Sequence, residues 1–271
     1  MKPAPFEVAR ARDAAEACAL LGQASGSAKV IAGGQSIGPM LNLRLARHDL
    51  LIDVRHAEEL RGIAEEEDAV VYGAAITHAE VEDGRVPDAT GGWLSPLARG
   101  IAYRAVRNRG TVGGSIAHAD PAGDWVTIMT ALGAEAILQG PGGRRAVGMS
   151  SFCLGPFSTA LAADEILLAL RVPRRSPAAR WGYWKFCRKT GEYAKSIAAV
   201  LVDPDRDEAR IVLGAAERPP LALPEPDALL MGEAEIAGTL QKILPGMAAS
   251  SLAIHAAAVR RAIALSEVEA D

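Results

Sequence analysis

Two glycine-centred segments constrain this 271-residue chain more than any other feature. They are Val30-Ile-Ala-Gly-Gly-Gln-Ser-Ile37 and Val106-Arg-Asn-Arg-Gly-Thr-Val-Gly-Gly-Ser-Ile-Ala-His-Ala-Asp120. Each follows an apolar or extended stretch, and each sets a hydroxyl residue beside a Gly-Gly pair. Adjacent glycines let the backbone pass through φ > 0 and leave consecutive N–H groups open, with no Cβ in the way. A diphosphate is held by such a cradle, because its oxygens accept several converging hydrogen bonds. One segment alone reads as a turn. Two of them, with hydroxyls at Ser36, Thr111 and Ser115, point to a long anionic cofactor gripped from both sides. Neither has the spacing G-x-G-x-x-G or G-x-x-x-x-G-K-[ST], so neither a Rossmann nor a P-loop site is expected.

The surrounding pattern alternates. Ala14, Ala17, Cys18 and Leu21 share one face of a helix over 12–23. A strand at Lys29–Ala32 runs into Gly33-Gly34, a helix over Ile37–Leu45 tolerates Pro39 in its first turn, and Leu50–Val54 is a strand. Together these form an α/β unit of about 50 residues. A second unit follows: a strand at Val70–Ala74, a helix capped by Thr77, a helix over Leu94–Ala105 and the second glycine segment as a loop over Asn108–Ser115. A helix over Asp124–Leu132 comes next, then strands at Ala134–Gln139 and Ile166–Val172 separated by the turn Gly140-Pro-Gly-Gly143. The Pro- and Arg-rich stretch Pro173–Pro177 marks a boundary. Beyond it lie strands at Trp181–Arg188, Ser196–Val202 and Ala209–Leu213, then helices ending in an Ala-rich one over Ala248–Ala264.

Charge and composition exclude several classes. The net charge of −4 gives no argument for nucleic acid or anionic membranes. No 18-residue uncharged apolar run is present, and the first residues lack the apolar core of a signal peptide, so a cytoplasmic protein without a membrane span is expected. Arg171–Lys189 holds seven basic residues and no acidic one, but its strand-like aromatic alternation reads as a solvated or partner-contacting face. Glu65-Glu-Glu-Asp68 reads as a solvated hairpin turn. Cys18, Cys153 and Cys187 have no C-x-x-C spacing, so no iron–sulfur cluster is expected on this chain. His48, His56, His78 and His255 read as structural or solvated, whereas His118, inside the second glycine segment, is a candidate cofactor contact.

The combination Ala32-Gly-Gly-Gln-Ser36, Val106-Arg-Asn-Arg-Gly-Thr-Val-Gly-Gly-Ser115 and Ala117-His-Ala-Asp-Pro-Ala-Gly-Asp124 resembles the FAD-binding medium subunit of molybdenum hydroxylases, the xanthine dehydrogenase and aerobic carbon monoxide dehydrogenase relatives. The resemblance continues through Glu165-Ile-Leu-Leu168, Arg171-Val-Pro173 and Tyr183-Trp-Lys-Phe186, and so covers nearly the whole chain. It implies an α+β protein: two α/β subdomains of a vanillyl-alcohol-oxidase-type FAD-binding domain, residues 1–56 and 57–173, and a small C-terminal α+β domain over 178–271. It implies an oxidoreductase subunit that takes electrons from a [2Fe–2S] subunit onto FAD and passes them to an external acceptor. A large partner carries the molybdopterin, and two copies of each subunit are expected.

Carried over residue by residue, the resemblance places Val30, Ile31, Ala32, Gly33, Gly34, Gln35, Ser36 and Ile37 around the pyrophosphate and nearby ribityl. Thr111, Gly113, Gly114 and Ser115 hold the other side. Asp124 matches a cofactor-contacting carboxylate. Ile101, Leu167 and Lys185 match positions lining the adenine or flavin pocket, and Tyr193 an aromatic near the isoalloxazine. The chain departs from the pattern at Ile37, at Trp125 where a smaller residue is usual, and at Glu192-Tyr193. Two other functions compete: a stand-alone FAD oxidase, and an assembly or binding protein that has lost FAD. The short C-terminal part, with no His or Tyr cluster, disfavours the first. Retention of both Gly-Gly pairs disfavours the second.

Overall fold

Three short strands form a parallel sheet around the first glycine segment. In the computed structural model, which describes residues 2–189, 191–232 and 234–267, they are β1 (Glu7–Arg10), β2 (Ala28–Ile31) and β3 (Leu50–Asp53), in the order β1-β3-β2. The helix Ala14–Gln23 makes the crossover from β1 to β2, and Asp13 caps it by accepting from the Glu16 N–H. The helix Ile37–Asn42 leads from β2 towards β3. Parallel neighbours need such crossovers, and that is why the first glycine segment lies at the carboxyl end of β2. The alternating reading of this unit therefore stands, with β1 as an added strand that its mostly exposed residues did not signal.

The second sheet corrects the expectation of another α/β unit. Strands β4 (Ile63–Glu65), β5 (Ala69–Gly73), β6 (Glu135–Gly140), β7 (Gly143–Gly148) and, after a hairpin of β8 (Cys153–Gly155) and β9 (Ser158–Thr159), β10 (Ile166–Pro173) are involved. Their order is β4-β5-β10-β6-β7, and every pair is antiparallel. The turn at Gly140–Gly143 closes a tight hairpin to β7 and does not lead on to β10. Both sheets share one core, in which Ile52, Trp93, Ile116, Trp125, Leu138 and Leu170 are fully buried.

The two charged runs meet across this sheet. Arg171 pairs with Glu66 and Asp68 at 2.7 Å each, and Arg174 with Glu65 at 2.7 Å. Glu65–Asp68 is indeed a hairpin turn between β4 and β5, but three of its four carboxylates pair with the start of the basic stretch. Much of that stretch is neutralised within the fold.

The third sheet is antiparallel: β11 (Arg180–Phe186), β12 (Ser196–Asp203), β13 (Glu208–Gly214) and β14 (Leu221–Ala222). Strand β12 is buried on both faces, as its unbroken apolar run Ile-Ala-Ala-Val-Leu-Val requires. Ala199, Leu201 and Val212 join the first core, towards the helix Asp124–Ala131. Their neighbours Ala198, Val200, Ile211 and Leu213 pack instead with Ala258, Val259 and Ala262 of the long helix Ala249–Ser266. At the boundary, the buried Arg175 guanidinium pairs with Glu208 at 2.7 Å and with Asp203, while its backbone N–H donates to Ala89 O.

Candidate functional site

The glycine segments converge. A Cβ on Gly33 would stand 2.0 Å from the Arg109 carbonyl oxygen and 2.7 Å from Gly110 Cα, so the first segment is seated directly on the start of the second. Gly34 adopts φ +72, the left-handed turn that glycine allows without penalty. As a result the backbone N–H groups of Gly33, Gly34, Gln35, Ser36 and Ile37 find no acceptor within the chain among the described residues. Five consecutive free donors in one turn form an anion-binding concavity. The Gln35 side chain stiffens it by donating to Gly33 O at 3.1 Å. The Ser36 hydroxyl makes no capping bond and has no partner among the described residues.

The second segment behaves differently from its expected role as an open loop. Thr111 caps a helix over Val112–His118, so Gly113 and Gly114 lie inside its first turn. Their amides are taken: Gly113 N–H by Ala74 O at 3.0 Å, and Gly114 N–H by Thr111 Oγ1 at 3.0 Å. Glycine is needed at 113 because a Cβ would fall 2.4 Å from Ala74 Cβ, on strand-side packing. This segment therefore offers hydroxyls and a close surface, while the first supplies the amides. The Thr111 hydroxyl accepts from Gly114 and keeps its own proton for donation, and the Ser115 hydroxyl is free among the described residues.

Both segments line one cleft of about 690 Å³, a size typical of cofactor sites. Every residue selected from the sequence lies on it: Val30 to Ile37, Ile101, Thr111, Gly113, Gly114, Ser115, His118, Asp124, Leu167, Lys185 and Tyr193. Ile101 reaches it because the expected helix Leu94–Ala105 breaks into Leu94–Arg99 and Arg104–Arg107, with Ala102 at φ +44. Arg107 holds the break by donating to Ile101 O at 2.9 Å and Ala102 O at 3.2 Å, and is anchored in turn by Glu82 at 2.7 Å. A register irregularity between Leu167 and Ala169 of β10 accompanies Leu167 on the cleft wall.

Asp124 is the electrostatic centre of the far wall. Its Oδ1 accepts from the Tyr183 hydroxyl at 2.5 Å and from Lys185 Nζ at 2.7 Å, and Lys185 also donates to Gly100 O at 2.8 Å. Strand β11 thus closes the cleft from the C-terminal side. Burial, and then the Asp124 charge, push the Tyr183 phenol well above its ordinary range, so it remains a donor. His118 packs on Phe157, ring centroids 5.1 Å apart, and burial lowers its pKa. Tyr193 is 64% exposed at the mouth.

Three cleft or near-cleft residues escaped the sequence reading. Lys29 lines the same cleft, and its charge reaches His118; a lone lysine before an apolar strand carries no signal. Tyr183 acts through Asp124, a contact spanning 59 positions. His78 is buried and its Nδ1 accepts from Trp125 Nε1 at 2.9 Å. Trp125 therefore sits behind the wall as part of a polar pair.

Residues 4–175 match the family model described as the FAD binding domain in molybdopterin dehydrogenase. The chain belongs to that family. It stands with the FAD-binding medium subunits of molybdenum hydroxylases. It is 41% identical over 202 residues to the carbon monoxide dehydrogenase medium chain of Hydrogenophaga pseudoflava, covering 74% of this chain and 70% of the relative. It is 35% identical over 220 residues to the nicotine 6-hydroxylase medium subunit of Paenarthrobacter nicotinovorans, covering 80% and 77%. A solved structure of the Hydrogenophaga pseudoflava carbon monoxide dehydrogenase, in a form lacking the Mo-pyranopterin moiety of the molybdenum cofactor, superposes with a TM-score of 0.90 at 35% identity over 98% of both chains.

Proposed function

We propose that this chain is the flavoprotein electron-transfer subunit of a molybdenum hydroxylase, holding FAD in the cleft between its glycine segments. The observation that carries the reading is the run of five unpaired amides from Gly33 to Ile37, seated on Arg109 and Gly110. Those amides suit the diphosphate, and Lys29 adds positive charge to the same cleft. The hydroxyls of Ser36, Thr111 and Ser115 donate to the remaining oxygens. Asp124 keeps Oδ2 for a hydroxyl of the cofactor while Tyr183 and Lys185 hold Oδ1. Ile101 and Leu167 give apolar walls for the rings, and Tyr193 guards the exposed edge. When bound, FAD supplies the redox centre; the chain's own side chains position it and exclude water.

The organisation that goes with this reading is an FAD-binding domain over 1–173, with subdomains of about 1–56 and 57–173, and a C-terminal domain over 178–271. The partners are a large molybdopterin subunit that oxidises the substrate and a small [2Fe–2S] subunit that relays electrons to this chain, two copies of each. In this reading the oxygen-transferring chemistry lies on the large partner. The relatives named above are medium subunits of a carbon monoxide dehydrogenase and a nicotine 6-hydroxylase, and in this reading the large subunit sets the substrate. The test is the absorption spectrum of the purified chain after reconstitution: a flavin band with one releasable FAD per chain is expected, and a folded chain that takes up no flavin would refute it.

A further inference from the structure

The cleft wall also holds a buried histidine that neither the diphosphate cradle nor the Asp124 cluster uses. His78 follows the Thr77 N-cap of a short helix and is only 6% exposed, yet its ring lies on the cleft wall. The ring is fixed from two sides. Trp125 Nε1 donates to Nδ1 at 2.9 Å, and the two rings stack with centroids 6.0 Å apart. The opposite edge, carrying Cδ2 and Nε2, sits so close to Gly110 that a Cβ there would fall 2.9 Å from both atoms. An indole nitrogen can only donate, so Nδ1 must be the unprotonated nitrogen and Nε2 must carry the proton. That proton has no acceptor within the chain among the described residues. Burial, and then the charge of Arg107, lower the histidine pKa to about 4, so the ring is a neutral, single donor at ordinary pH.

A donor of fixed tautomer that opens onto a cofactor cleft, with no acceptor in the chain among the described residues, is available to a bound ligand. We propose that His78 is a further cofactor-contacting residue, its Nε2–H donating a hydrogen bond to an acceptor atom of the bound dinucleotide, with Trp125 as the positioning residue that sets its tautomer. The inference rests on the FAD reading above. It also gives the buried tryptophan a role: its indole locks the proton on the cleft side.

The test uses the full chain, stripped of flavin and titrated with FAD. His78→Asn retains an acceptor near Nδ1 and loses the donor near Nε2, whereas His78→Gln keeps a donor of similar reach. His78→Asn should bind FAD about three- to tenfold more weakly, the range for one neutral hydrogen bond, and His78→Gln should return to within about twofold of the parent. In the unsubstituted chain, nitrogen-15 histidine NMR should show the Nε2–H tautomer before and after FAD, with its proton protected from exchange only in the loaded protein. Equal affinities for the folded Asn variant and the parent, or an Nε2 without a proton in the loaded chain, overturn the proposal. A parent chain that takes up no FAD overturns the FAD reading itself, a distinguishable result.

Discussion

Replacing Gly34 by Ala probes the diphosphate cradle with little steric disturbance. A Cβ at this position meets nothing closer than the Ile31 Cδ1 atom at 3.4 Å, so space does not forbid it. Conformation does: φ is +72, and an L-residue held there costs about 1–2 kcal/mol relative to glycine. Without ligand the turn can relax towards negative φ, which rotates the Gln35 amide out of line with its neighbours. Binding FAD must then restore the left-handed turn, and the cost appears as affinity. A penalty of that size weakens FAD binding by about five- to thirtyfold. Gly34→Asn, whose side chain tolerates the left-handed region better, should recover most of the loss. Gly33→Ala is the contrasting variant, because its Cβ overlaps the Arg109 carbonyl and should loosen the seat of the whole segment. Flavin fluorescence titration of the stripped chain, with a thermal melt beside it, makes the measurement. A folded Gly34→Ala chain with parental FAD affinity would refute the cradle.

Two further outcomes follow from the site and its buried groups. Asp124→Ala strands the Tyr183 hydroxyl and the Lys185 ammonium as well as removing a cofactor acceptor, so it should lower the apoprotein's stability by about 1.5–3 kcal/mol and weaken FAD, read by urea unfolding and titration; loss of affinity without loss of stability would mean that the cluster contributes nothing to the fold. His78, at about 4 in the fold against an ordinary 6.5, binds a proton more readily when unfolded, so stability should be fully present above about pH 6.5 and fall by about 3 kcal/mol as pH drops to 4, and His78→Asn should flatten that window.

Local chemistry was legible in the sequence; long-range geometry was not. Gly33-Gly34 and Thr111 declare themselves within a few residues, because a turn needing φ > 0 or a cap needs particular neighbours. The same motif logic misread Gly113-Gly114. Their helical amides go to Ala74 and Thr111, and only the approach of Ala74, just past β5, shows why glycine is required at 113. The break that delivers Ile101 depends on Arg107 reaching two carbonyls while Glu82 anchors it, and no periodicity encodes that. The sheet order β4-β5-β10-β6-β7 joins strands a hundred positions apart, so an alternating reading could not distinguish antiparallel from parallel pairing. His78 looked like an ordinary structural histidine because its meaning lies in Trp125, 47 positions away.

The most direct test of the account follows the cofactor and its electrons together. The purified chain, reconstituted with FAD, is mixed anaerobically with the molybdopterin and iron–sulfur subunits of the proposed complex, and the flavin absorbance is followed after substrate is added. One FAD per chain is expected, bleached by substrate when both partners are present and unchanged by the same substrate when this chain is alone. Substrate-driven bleaching of the isolated chain, or a complex that turns over with its flavin left oxidised under anaerobic conditions, would contradict it.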